Sequence, residues 1–90
     1  MSLAQVRYFV AVAEEGHVSR AASALRVAQP AVSRQIRLLE DELGAALFVR
    51  TARGMRLTPP GAVFLEHARS ILAQVDLAAR AVRSVSEKPQ

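Results

Sequence analysis

Between Ser19 and Gly44 the chain reads SRAASALRVAQPAVSRQIRLLEDELG, and the apolar spacing there leaves few folds open. The stretch lays out a short helix, a turn of a few residues and a second helix that opens on Pro30. The first helix is expected to bury Ala22 and Leu25, the turn Val27, and the second helix Val32, Ile36, Leu39 and Leu43. Small residues at Ala21, Ala22 and Ala24 let the two axes approach closely. Gln29, Ser33, Arg34 and Arg37 stand off the buried stripe and project outward. One helix braced by another, with polar side chains at the exposed N-terminal end of the second, meets the requirements of a helix-turn-helix. The pattern points to DNA.

The flanking segments complete the architecture. Leu3, Val6, Phe9, Val10 and Ala13 recur at helical spacing, so an amphipathic helix is expected over 3–15, ended by Gly16 as a left-handed cap. Ser19 is expected to cap the helix that runs to about Arg26, and the helix from Pro30 is expected to stop at Gly44. Leu47-Phe48-Val49 and Met55-Arg56-Leu57 then flank Thr51-Ala52-Arg53-Gly54 as two short strands of a hairpin, a wing. Thr58-Pro59-Pro60-Gly61 reads as a helix start with Thr58 as N-cap. From there to about Ser86 no breaker intervenes, and Phe64, Ala68, Ile71, Val75, Ala78, Val82 and Val85 follow alternating steps of four and three. Such a helix is roughly 43 Å long at 1.5 Å per residue, against a body only about 25 Å across. It cannot bury its whole seam on that body, so a partner helix is expected. Glu87-Lys88-Pro89-Gln90 reads as a frayed end or the start of a linker. The expected fold class is mainly α: a winged helix-turn-helix over 1–58, then a long dimerisation helix over 59–90.

Charge narrows the function further. Eleven of the 12 basic residues are arginine, the side chain suited to bidentate contact with phosphate and guanine. Seven of them lie between Arg20 and Arg56, where the only acids are Glu40, Asp41 and Glu42. The absence of cysteine excludes disulfides and thiolate metal sites and fits a reducing cytoplasm. No apolar run reaches the roughly 20 residues that span a bilayer. No catalytic or metal constellation is found: His17 and His67 lie far apart, and neither sits in a metal-ligand spacing. Both are read as surface or packing residues. Glu40, Asp41 and Glu42 occupy successive helical positions and splay around the axis, so no cation site is expected. Neither an enzymatic activity nor a cofactor is expected.

The order of these pieces resembles the N-terminal DNA-binding domain of the LysR-type transcriptional regulators. The resemblance runs from Leu3 to about Ser86 and is carried by Phe9-Val10-Ala11-Val12-Ala13, Ser19-Arg20-Ala21-Ala22, Leu25 and above all Gln29-Pro30-Ala31-Val32-Ser33-Arg34-Gln35-Ile36. Leu39-Glu40, Leu43-Gly44, Leu47-Phe48, Arg50, Arg53-Gly54, Leu57-Thr58 and Gly61 continue it. Ala28 departs from it, standing where the family usually has Ser or Thr, and Pro60 stands where Ala is common. The resemblance implies a bacterial, dimeric regulator acting on an inverted repeat, with a two-lobed effector domain beyond the piece seen here. Any small-molecule effector then acts only through that further domain.

The residues assign roles on DNA. Gln29, Ser33 and Arg34 are expected to face base edges, while Pro30 and Ala31 offer apolar surface to a thymine methyl. Arg37 projects beside them. Ser19 and Arg20, at the positive end of the bracing helix, are expected on phosphates. Arg50 and Arg53 on the wing are expected to hold the flanking backbone, Arg53 entering the minor groove where it is narrow. Phe64, Ala68, Ile71, Val75, Ala78 and Val82 are expected at the dimer interface. The alternative is a helical dimerisation or adaptor module whose arginines only solubilise it. Such a module has no reason to cluster arginine at the outward end of one helix and again on a hairpin tip. A winged helix of the MarR type would need a longer wing and dimerisation helices at both ends.

Overall fold

The computed structural model describes residues 1–86. Its elements are α1 (Leu3–Glu15), α2 (Val18–Leu25), α3 (Gln29–Leu43), β1 (Phe48–Thr51), β2 (Gly54–Leu57) and α4 (Pro59–Ser86). The expected frayed end, 87–90, lies outside the described residues.

α1 starts at a capping box: the Ser2 hydroxyl accepts from the Gln5 amide, and the Ser2 amide donates to the Gln5 side chain. It ends at Gly16 in the left-handed conformation (φ 74°), as expected. α2 begins two residues earlier than its serine suggested. The Ala21 amide donates to the His17 carbonyl (3.0 Å), so His17 is the N-cap and Ser19 lies inside the first turn. α2 ends with Arg26 in the left-handed region (φ 60°), where the Val27 amide reaches back to the Ala22 carbonyl at 3.0 Å. A non-glycine residue there carries strain of about 1 kcal/mol. α3 opens after Ala28, which supplies no side-chain cap, and closes at Gly44 (φ 67°).

The core joins Val6, Phe9, Val10 and Val12 of α1 with Val18, Ala21 and Ala22 of α2 and Val32, Ile36 and Leu39 of α3. Leu47, Phe48 and Ala68 complete it. Phe9 is fully buried between Phe48 (centroids 5.1 Å, tilted) and Phe64 (4.8 Å, edge-on), so truncating it to alanine is worth about 3–5 kcal/mol. Leu25 and Val27 are half-buried against this core. Leu43 is exposed at the end of α3, where it lines an open groove with Leu47, Val63 and Phe64 and does not enter the core.

β1 and β2 pair antiparallel from Phe48 with Leu57 to Thr51 with Gly54, around the two-residue loop Ala52-Arg53. Thr51 Oγ1 ties the loop, accepting from the Arg53 amide and donating to the Gly54 carbonyl. The wing is fixed at both ends. At its base, the amides of Leu47 and Phe48 donate to Glu40 Oε2 (2.7 and 3.4 Å). Near its tip, the Met55 amide donates to the Gly16 carbonyl (2.8 Å). Gly54 (φ 122°) lets this happen, because a Cβ there would collide with the Gly16 carbonyl oxygen and sit 2.7 Å from the His17 ring.

Thr58 caps α4 through the Gly61 amide (3.0 Å) and anchors it by its own amide on the Leu47 carbonyl (3.0 Å). The first turns of α4 lie on α1 and β2 through Gly61, Phe64, Leu65, Ala68 and Leu72. This corrects the heptad reading: Phe64 and Ala68 belong to the chain's own core, and the body therefore extends past Thr58. The steps that face the body and those that face away share a helical period, which a one-dimensional pattern does not separate. Beyond Leu72 the helix runs clear of the body, giving extents of 58 × 25 × 19 Å, and leaves Leu77, Val82 and Val85 exposed.

Candidate nucleic-acid interface

The buried stripe of α3 decides what its other faces present. With Val32, Ile36 and Leu39 inside, residues about half a turn away must face solvent at 100° per residue. Pro30 and Arg34 take that outermost side, with Arg37 between it and the wing. Gln29, Ser33, Arg37 and Glu40 form the adjoining row. Gln29, Pro30, Ala31, Arg34 and Arg37 are exposed and Ser33 is half-buried. Gln35 falls on the opposite flank, where its Oε1 accepts from Gln5 Nε2 (3.1 Å) and ties α3 to α1.

The wing adds a second set. Cross-strand pairing places Arg50 with Met55 and Arg56 with Val49, on opposite faces of the hairpin. Arg50 therefore turns toward α3. It shares a cleft with Val18, Ser33, Ile36, Arg37, Glu40 and Met55. Arg53 sits in the two-residue turn, and Arg56 joins it beside Thr51 and Ala52 at the tip. The expectation grouped Arg50 with Arg53; the structure sets Arg50 against α3 and gives Arg53 a neighbour in Arg56. Ser19 and Arg20 are exposed on the first turn of α2, whose start has no side-chain cap.

Positive charge is concentrated on this surface. Among the described residues, the salt bridges are Met1 to Glu42, Arg69 to Glu14 and Arg80 to Asp76. None engages Arg20, Arg34, Arg37, Arg50, Arg53 or Arg56. Six guanidiniums thus stand on α2, α3 and the wing without an acidic partner, an arrangement that attracts a polyanion. Glu40, given no role in the sequence beyond splaying from Asp41 and Glu42, holds the wing to α3. Its signal was hidden, because the amides it binds lie seven and eight residues further on, past a chain reversal.

Residues 3–62 match the family of bacterial regulatory helix-turn-helix proteins designated lysR. The chain belongs to the LysR family. Its LysR-type relatives include the transcriptional regulator TfdS of Cupriavidus pinatubonensis, 58% identical over 72 residues, which are 80% of this chain and 24% of that protein. This LysR-family chain thus spans about a quarter of that relative's length. Among solved structures, the DNA-binding domain of BenM in complex with catB site 1 DNA superposes with a TM-score of 0.95 at 40% identity, covering 99% of this chain and all (100%) of that one. The CbnR DNA-binding domain in its DNA complex gives 0.90 at 41% identity, covering 97% and 100%. The winged helix-turn-helix fold of the LysR family is therefore the fold of this chain. Its relatives are named as transcriptional regulators rather than as enzymes.

Proposed function

We propose that the chain binds double-stranded DNA by sequence, as a dimer on an inverted repeat, and serves a bacterial regulator working in the cytoplasm. The observation that carries this is the outward end of α3. Exposed Gln29, Pro30, Ala31 and Arg34, with half-buried Ser33, stand on a helix whose opposite side is locked into the core. Such a helix presents a rigid set of donors and acceptors to a major groove. Arg34 suits the O6 and N7 acceptors of guanine, and Gln29 suits adenine. Pro30 and Ala31 meet a thymine methyl. Ser19 and Arg20 hold one backbone at the uncapped start of α2, and Arg53 with Arg56 holds the flank.

Dimerisation runs through the part of α4 that leaves the body. Ile71, Ala78 and Val82 are exposed and Val75 is half-buried, whereas Phe64 and Ala68 support the body beneath. Ile71, Leu77, Val82 and Val85 are all exposed along this stretch, a run of apolar side chains that a partner helix would cover. A two-fold pair of reading helices requires a palindromic site. Binding-site selection from a random DNA pool tests the reading. An enriched inverted repeat supports it; a pool that stays random contradicts it.

A further inference from the structure

The cleft between α3 and the wing holds a combination of groups that protein structure alone does not require. Arg37 and Arg50 meet there, with the Ser33 hydroxyl, around a space of about 110 Å³. Neither guanidinium has an acidic partner among the described residues. Glu40 also lines the cleft, its Oε2 accepting from the Leu47 and Phe48 amides, so its carboxylate offsets one of the two positive charges and leaves the cleft net positive. The floor is apolar: Val18 and Ile36 are buried and Met55 is half-buried. Val18 is also the first residue of α2, whose uncapped start adds positive potential on that side.

We infer that Ser33, Arg37 and Arg50 form one anion site that grips a single DNA backbone phosphate between the reading helix and the wing. The inference rests on the DNA-binding reading above and deepens it. Two guanidiniums that line one cleft, from α3 and from β1, can both bond a single anion that enters it. A phosphate accepts bidentate bonds from arginine and a further bond from a hydroxyl, which matches this donor set. Because α3 supplies one arginine and β1 the other, the shared phosphate sets the distance between groove reading and flank holding. Arg50 thus acts with α3, whereas Arg53 and Arg56 act at the tip.

The test uses the chain and its selected duplex, with one neutral methylphosphonate linkage placed at each position in turn. One linkage beside the groove is expected to weaken the unsubstituted chain about tenfold, the loss typical of a charge-assisted hydrogen bond. Arg37→Ala and Arg50→Ala should each lose most of their sensitivity at that same linkage. The double variant should weaken binding by clearly less than the product of the two single losses, since neighbours on one ligand are not additive. Arg37→Lys and Arg50→Lys, which keep the charge, should retain part of the effect and exclude a folding artefact. Sensitivity lost at two different linkages, or additive losses, would overturn the shared site while leaving DNA binding intact. A chain that selects no DNA site at all would overturn the DNA reading and this inference with it.

Discussion

Gly54→Ala parts the wing tip from the α1–α2 connection by a single methyl group. The added carbon would lie inside the Gly16 carbonyl oxygen and 2.7 Å from the His17 ring, at a φ of 122° that alanine avoids. Holding the tip in place would carry about 1–3 kcal/mol of backbone strain. Loss of the 2.8 Å bond from Met55 to Gly16 would add about 1 kcal/mol. Lifting the tip is the lower-energy outcome, because it gives up that one bond and the half-burial of Met55 while Glu40 keeps the base attached. A stability loss of about 1–2 kcal/mol follows, a fall of roughly 5–15 °C in Tm for a domain of this size. Circular dichroism melts at fixed protomer concentration measure it. Once the tip is lifted, Arg53 and Arg56 lose their placement, so binding to all duplexes weakens alike. The slope of log affinity against log salt then falls in magnitude by about 1 for each phosphate that is no longer neutralised. His17→Ala in the same background gives no rescue, because the Gly16 carbonyl is backbone and stays in the way. An unchanged Tm and salt slope, or full rescue by His17→Ala, would refute this account of the wing.

Arg34→Ala is expected to lower discrimination between the selected duplex and random DNA by about 1–3 kcal/mol, read by competition titration; equal weakening on both would make Arg34 a phosphate contact. Val82→Asp is expected to yield monomers in sedimentation with an unchanged α-helical signal, since Val82 is 68% exposed within the chain and only a partner would bury it. Ala28→Ser supplies the absent α3 cap, so the midpoint of urea unfolding is expected to rise by the equivalent of about 1 kcal/mol. Arg26→Gly relieves a left-handed φ of 60° and is expected to stabilise by up to about 1 kcal/mol in the same assay.

Much of this molecule was legible in its sequence, and the exceptions share a cause. Helices with a strong 3.6-residue period and glycine stops, α1 and α3, lie where their patterns placed them, because burial and capping act locally. The shift from Ser19 to His17 as the α2 cap accompanies the burial of Val18, which enters the core as the first residue of the helix. The Ser2 and Gln5 capping box is local too, a serine three residues ahead of a glutamine at the start of an apolar run. Gly54 and Gly61 stood in the sequence without a reason until their neighbours were known. Each allows a close backbone approach, to Gly16 and to Leu47 respectively. Glu40 and the split of α4 into body-facing and outward residues likewise depend on tertiary neighbours. Of the interface residues, exposure on α3 followed from the stripe opposite it, whereas the meeting of Arg37 with Arg50 required the register of the hairpin.

A face that reads DNA around the N-terminal half of α3 must respond to the duplex there and not elsewhere. Amide chemical-shift mapping on titration with the selected duplex tests it most directly. The account predicts changes concentrated at residues 18–20, 29–37 and 50–56, with α1 and the groove around Leu43, Val63 and His67 little affected. Changes centred on that groove, with residues 29–34 unmoved, would contradict it.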